Sequence, residues 1–279
     1  MLRDARPNGG VALRYGGTIL DEIASYTRER VAAEKAAARE LLPPGAVCAA
    51  RGFPFERALS SEGLSFICEV KKASPSKGVI AENFPYEEIA KSYETAGASA
   101  ISVLTEPRWF LGSAEHLRIV AGAVDIPVLR KDFVVDEYQI REAASLGAAA
   151  ILLIVAILND SELSDFLGLA DVLGLSALVE AHDECETDRA LKAGARIIGV
   201  NNRDLRTFNV DPANSLRLRA RVPEGVLFVA ESGVAGPDDI RALVPACPDA
   251  VLVGEAMMRA EDKAAFLKAL KGASRENNE

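Results

Sequence analysis

Residues 193–205 read Ala193-Gly194-Ala195-Arg196-Ile197-Ile198-Gly199-Val200-Asn201-Asn202-Arg203-Asp204-Leu205. Glycine between two alanines suits the residue just past a helix C-terminus. The apolar run that follows, without strict polar alternation, suits a parallel strand covered on both faces. Its end is abruptly polar. The stretch therefore reads as one helix–strand–loop unit, and the same entry recurs upstream at Ala96-Gly97-Ala98 and Leu146-Gly147-Ala148.

Eight short apolar runs of this kind recur along the chain, at 65–70, 99–104, 126–130, 149–154, 177–180, 196–200, 226–230 and 250–253. Segments 85–96, 136–146, 183–193 and 237–243 mix apolar positions at 3–4 spacing with charges, as amphipathic helices do. Asp136, Asp183 and Asp238 come early in them, where acids complement the helix dipole. Eight strands alternating with helices predict an α/β fold, a closed (β/α)8 TIM barrel. A doubly wound open sheet needs a Gly-rich turn after its first strand, and none follows Val70.

The 279 residues fit one barrel of this kind, which takes about 250. Residues 18–273 are expected to form that single domain, and no second catalytic barrel is expected. Residues 18–40 predict an additional N-terminal helix, with Thr18 or Asp21 as N-cap and Pro43-Pro44-Gly45 ending it. It is expected to lie across the barrel mouth with Arg28, Arg30 and Lys35 facing solvent or phosphate. Residues 1–17 and 274–279 are expected to be a disordered extension and tail.

A net charge of −9 argues against nucleic-acid or anionic-membrane partners. The longest apolar stretch, 148–158, is too short to span a bilayer. No apolar segment near the N-terminus resembles a secretory signal. Cys48, Cys68, Cys185 and Cys247 form no CxxC pair, as a reducing compartment permits. A cytoplasmic protein, monomeric or weakly dimeric, is the expectation. With two isolated histidines and no dinucleotide fingerprint, neither a metal nor a cofactor is expected.

Function in a barrel collects where strands end and the following loops begin. Glu69 and Lys71, two apart, share one side of the first strand. Lys131 ends the third strand and Glu180 the fifth, where a carboxylate in an apolar run needs a partner. Asn201 and Arg203 share a side after the sixth, while His182 reads as a loop residue outside the chemistry. Ser232-Gly233 and Gly254-Glu255, after strands seven and eight, let backbone N–H groups approach a phosphate. Lysines, carboxylates, an amide and an arginine around a phosphate cradle suit acid–base chemistry on a sugar phosphate.

These motifs, in this order, resemble the indole-3-glycerol-phosphate synthase family over about residues 19–270. They comprise Ile67-Cys68-Glu69-Val70-Lys71-Lys72-Ala73-Ser74-Pro75-Ser76-Lys77-Gly78, Val103-Leu104-Thr105-Glu106, Leu129-Arg130-Lys131-Asp132-Phe133, Val179-Glu180, Gly199-Val200-Asn201-Asn202-Arg203-Asp204-Leu205, Ala230-Glu231-Ser232-Gly233 and Val253-Gly254-Glu255-Ala256. The resemblance implies closure of an indole ring on a phosphorylated small-molecule substrate, with loss of carbon dioxide and water. It implies Lys131 as general acid, Glu180 as stabiliser of developing positive charge, and Lys71 as anion binder and dehydration acid. Glu69 would be the dehydration base, oriented by Asn201. Ser74, Arg203 and Ser232 would hold substrate polar groups. Phe110, Phe133, Leu152 and Leu205 would wall the aromatic ring, and Gly233, Gly254 and Glu255 would cradle the phosphate. A Glu at 255 fits only if its carboxylate turns away. Another phosphosugar barrel, such as a phosphoribosylanthranilate isomerase, and a non-catalytic phosphate-binding barrel remain as alternatives at this stage.

Overall fold

The computed structural model describes residues 17–37, 52–204 and 207–275. Eight parallel strands close into a barrel: β1 (Ser65–Val70), β2 (Ala100–Leu104), β3 (Val128–Lys131), β4 (Ala150–Ile154), β5 (Ser176–Ala181), β6 (Ile197–Asn201), β7 (Leu227–Glu231) and β8 (Ala250–Val253). Each pairs with its chain neighbours, and β8 returns to β1 with Ser65 opposite Ala250. Gly97 and Gly194 sit at φ 91° and 92°, the left-handed conformation that ends a helix before the next strand.

Outer helices cover the sheet, among them α3 (Tyr86–Thr95), α4 (Ala114–Ala123), α5 (Glu137–Ser145), α6 (Asp160–Val172) and α7 (Glu184–Lys192). The expected acids start two of them as N-caps. Asp136 accepts the N–H of Tyr138 at 2.8 Å, and Asp183 that of Glu186 at 2.9 Å. Asp238 lies instead in the first turn of its helix, Pro237–Leu243. Among the described residues no helix is long and apolar enough to cross a membrane.

Two apolar layers result. Phe66, Ile101, Ile151, Val179 and Ile198 point outward beneath the helices. Ile67, Leu129, Leu178, Ile197 and Val229 fill the barrel interior. A short helix α2 (Pro54–Leu59), which the sequence pattern did not announce, inserts Phe55 and Leu59 among these interior residues. Side chains alternate along a strand, so positions two residues beyond the interior ones also point inward. That parity sends Glu69, Lys131, Glu180 and Glu231 to the C-terminal mouth.

Helix α1 (Ile19–Ala37) precedes the barrel, as expected. Its start is a reciprocal cap: the Asp21 N–H donates to Thr18 Oγ1 at 3.3 Å, and the Thr18 N–H donates to Asp21 Oδ2 at 2.7 Å. Of its basic residues Arg28 and Lys35 are exposed, as expected, and Arg30 is half-buried, but all three also bind the barrel. Arg28 donates to the Ile157 carbonyl at 3.0 Å, Arg30 meets Asp132 at 3.4 Å, and Lys35 meets Asp136 at 2.9 Å. These cations tie α1 to the loops after β3 and β4. Residues 1–16, 38–51, including the Pro43-Pro44-Gly45 stop, and 276–279 lie outside the described residues. Ser274, where the tail was expected to start, caps the last helix with its N–H on the Leu270 carbonyl.

Candidate active site

The mouth opens into a cavity of about 770 Å³, roofed on one side by Ile19, Leu20 and Ile23 of α1. At its floor the Lys131 ammonium lies 3.1 Å from Glu180 and 3.3 Å from Glu231. Burial works against this charge. Glu231, Glu180 and Glu69 together outweigh burial and hold Lys131 well above the ordinary lysine range. Lys71 pairs with Glu69 at 2.5 Å across the two-residue spacing read from the sequence. A side chain at Gly254 would collide with both members of this pair.

Glu180 and Glu231 are buried alike but titrate apart. Burial raises both, yet Lys131, His182 and Asn201 bring Glu180 below the usual carboxylate range. Burial pushes Glu231 up to about 7, with Lys131 opposing it and the charge of Glu180 adding to it. Glu231 Oε1 has no hydrogen-bond partner and points at Gly199, where any Cβ would strike it.

Asn201 Nδ2 donates to Glu180 Oε1 at 3.1 Å, which corrects its expected role of orienting Glu69. Its Oδ1 accepts the Arg203 N–H at 3.0 Å, so one amide fixes both a carboxylate and the next loop. The Arg203 guanidinium donates to the Phe208 carbonyl at 3.0 Å beside the cavity. Ser74, Phe110, Phe133, Leu152, Ser232, Gly233, Gly254 and Glu255 also line it. Leu205 lies outside the described residues. The Glu255 carboxylate accepts a hydrogen bond from Arg259 at 3.0 Å, and both residues line the cavity. Ser232 adopts φ 66°, rare for a side-chain-bearing residue, while Asn202 donates to its carbonyl. Such strain clusters where a loop must present its backbone to a ligand.

Three residues were missed. Glu231 was legible, because it follows interior Val229 by two, as Glu69 follows Ile67. His182 ends β5 as a loop residue, but its ring reaches back to Glu180 at 3.3 Å. Glu106 accepts the N–H groups of Arg108, Trp109 and Phe110 at 2.8, 2.7 and 3.0 Å. Burial raises its pKa despite those bonds. It folds the loop that sets Phe110 6.0 Å from Phe133, ring centre to ring centre. Trp109 of the same loop meets Tyr26 of α1 edge to face, and the Arg108 guanidinium lies over the Tyr26 ring.

Among the described residues no group of three or more His, Cys, Asp or Glu side chains could hold a metal ion. The arrangement offers a cation between two acids, a second cation–acid pair, an aromatic wall and backbone N–H groups at the rim.

Residues 20–270 match the family profile described as indole-3-glycerol phosphate synthase. An indole-3-glycerol phosphate synthase of Ruminiclostridium cellulolyticum is 57% identical over 80% of this chain and 85% of its own length. One of Endomicrobium trichonymphae is 51% identical over 91% and 99%. Among solved structures, 3-hexulose-6-phosphate synthase from Salmonella typhimurium superposes with a TM-score of 0.63 at 14% identity. It covers 76% of this chain and 98% of its own, a likeness of fold alone.

Proposed function

This chain belongs to the indole-3-glycerol phosphate synthase family, and from that premise we propose how its barrel mouth does the chemistry. The enzyme is a carboxy-lyase of tryptophan biosynthesis. It converts 1-(2-carboxyphenylamino)-1-deoxyribulose 5-phosphate into indole-3-glycerol phosphate, carbon dioxide and water.

The observation that carries the reading of the site is the Lys131 ammonium held between two buried acids on the cavity floor. In ring closure the aromatic carbon bearing the carboxylate attacks the ketone carbon, and the carbonyl oxygen becomes an alkoxide. Lys131 stabilises that charge where it appears and then supplies the proton that makes it a hydroxyl. Glu180, ionised and fixed by Asn201, faces the positive charge that spreads onto the ring nitrogen. Loss of carbon dioxide restores the aromatic ring.

Dehydration then needs an acid and a base close together. Lys71 protonates the departing hydroxyl and Glu69 accepts the proton released from the ring, a division that their 2.5 Å contact supports. Lys71, Ser74 and Arg203 hold the anionic and polar ends of the substrate, and Ser232 its hydroxyls. Backbone groups of Gly233, Gly254 and Glu255 cradle the phosphate. Phe110, Phe133 and Leu152 wall the anthranilate ring and keep water from it.

We read residues 18–273 as one folding unit, acting as a monomer or weak dimer in the cytoplasm. The test is to add the carboxyphenylamino sugar phosphate to purified protein with a chelator present and follow indole fluorescence. Indole product with equimolar carbon dioxide is expected. Substrate binding without indole formation overturns the reading.

A further inference from the structure

Lys131 contacts two acids at nearly equal distance, 3.1 Å to Glu180 and 3.3 Å to Glu231. Both are buried, and Lys131 donates a hydrogen bond to Glu180 while its contact with Glu231 is an ion pair. The other side of each carboxylate differs further. Glu180 Oε1 accepts a hydrogen bond from Asn201 Nδ2 at 3.1 Å, and His182 Nε2 lies 3.3 Å from it as an ion-pair contact without hydrogen-bond geometry. Glu231 Oε1 meets no donor. His182 is itself clamped. Its Nδ1 lies 3.0 Å from Glu186 Oε2 on α7, and Asn214 Nδ2 donates to its carbonyl at 3.1 Å. The ring thus stands between two carboxylates, the geometry that favours imidazolium.

We propose that His182 is a positioning residue that pins Glu180 as the permanent carboxylate beside Lys131 and leaves Glu231 as the acid that takes up a proton. The proposal rests on the active-site reading above and adds to it a division of labour between the two acids. The remaining charges facing the cluster come from β1: Glu69, which bears on both Lys131 and Glu231, and Lys71, which Glu69 neutralises. From β6 come only Asn201 and Gly199, both uncharged. His182 is therefore the positive group that touches one acid and not the other. A bare carboxyl oxygen aimed at Gly199 is tolerable when the group is neutral and costly when it is ionised. Burial lowers the proton affinity of His182, but Glu180 and Glu186 reverse this and carry it to about 10, so the imidazolium persists through neutrality.

The full chain has only two histidines, His116 and His182, so imidazole nitrogen NMR resolves the key group without crowding. A His116→Gln variant assigns the signals. His182 is expected to remain imidazolium about two pH units above the ordinary imidazole value. A neutral ring there overturns the proposal, and this measurement needs no variant at His182 to fold. Infrared titration of the free protein gives the second readout. A buried carboxyl band titrating near neutrality should vanish in Glu231→Gln and remain, displaced to lower pH by loss of the Glu180 charge, in Glu180→Gln; loss of the band in Glu180→Gln with retention in Glu231→Gln overturns the proposal.

In His182→Gln the loss of one nearby positive charge should raise that titration midpoint by about one to three pH units. The acid limb of the kcat profile should move with it. A merely structural histidine would lower activity at every pH without displacing that limb, and an unmoved midpoint refutes the proposal. Both spectroscopic measurements use protein without substrate. If they succeed and no indole forms, the reading of the reaction fails and the histidine's role stands.

Discussion

Replacing Lys131 with Met keeps most of the side-chain volume and removes the ammonium that touches Glu180 at 3.1 Å and Glu231 at 3.3 Å. Two consequences follow from the geometry. The first is lost stabilisation of the alkoxide: a single donor aimed at a developing oxyanion is worth about 2.7–4 kcal/mol. Proton supply adds a factor of about 10²–10⁴. These overlap, because the same proton does both, so kcat should fall at least about 10³-fold, or about 4 kcal/mol. KM should change little, because the ground-state ketone carries no charge for Lys131 to hold. The second consequence is electrostatic relief. With the cation gone, Glu180 and Glu231 gain proton affinity, and one of them takes up a proton rather than leave two buried charges unpaired. The barrel therefore survives, which circular dichroism checks. Single-turnover indole fluorescence, with enzyme in excess, isolates ring closure from product release. Lys71→Met is the comparator: it should raise KM as well as lower kcat, because Lys71 holds an anionic end of the substrate. If Lys131→Met closes the ring within about tenfold of the normal rate, Lys131 is not the acid.

Other outcomes follow from individual contacts. Gly199→Ala places a methyl group against Glu231 Oε1 and 3.0 Å from Leu178 Cδ1; kcat should drop at least about tenfold as the carboxyl swings away and the leucine side chain gives slightly. Asp132→Ala removes the anion shared by Arg130 at 3.1 Å and Arg30 at 3.4 Å. The loss should be about 3 kcal/mol in urea unfolding, because Arg130 is fully buried and keeps only Glu142 as its acid. A loss below about 1 kcal/mol would mean the pair is inert. His182 is raised to about 10 from an unfolded value near 6.5. Its stabilisation is thus complete below pH about 6.5 and fades as pH rises toward about 10. Relative to His182→Gln, the unaltered protein should lose up to about 1.4 kcal/mol per pH unit within that window. Parallel stability curves for the two proteins would refute this.

The barrel and the Glu69–Lys71 pair are legible in the chain alone. Local signals carry both. Parallel strands buried on two faces must read as unbroken apolar runs, and each helix exit wants a residue free to adopt positive φ, so the repeat is written in the chain. Glu69 and Lys71 were paired correctly because a two-residue spacing is a property of one strand. The site's remaining partnerships were decided only by closure. Asn201 meets Glu180 rather than Glu69 because β6 lies beside β5, while β1 stands across the mouth. Glu231 reaches Lys131 across the barrel interior, a meeting of β7 with β3 that no stretch of sequence encodes. His182 turns from loop to charge partner because α7 brings Glu186 under it. Arg30 and Lys35, solvent-facing on an isolated helix, become tethers once α1 meets Asp132 and Asp136. Local spacing fixes which way a side chain leaves its strand. Which charges then share a low-dielectric pocket, and so which of them keeps a proton, depends on strand order and register around the closed sheet.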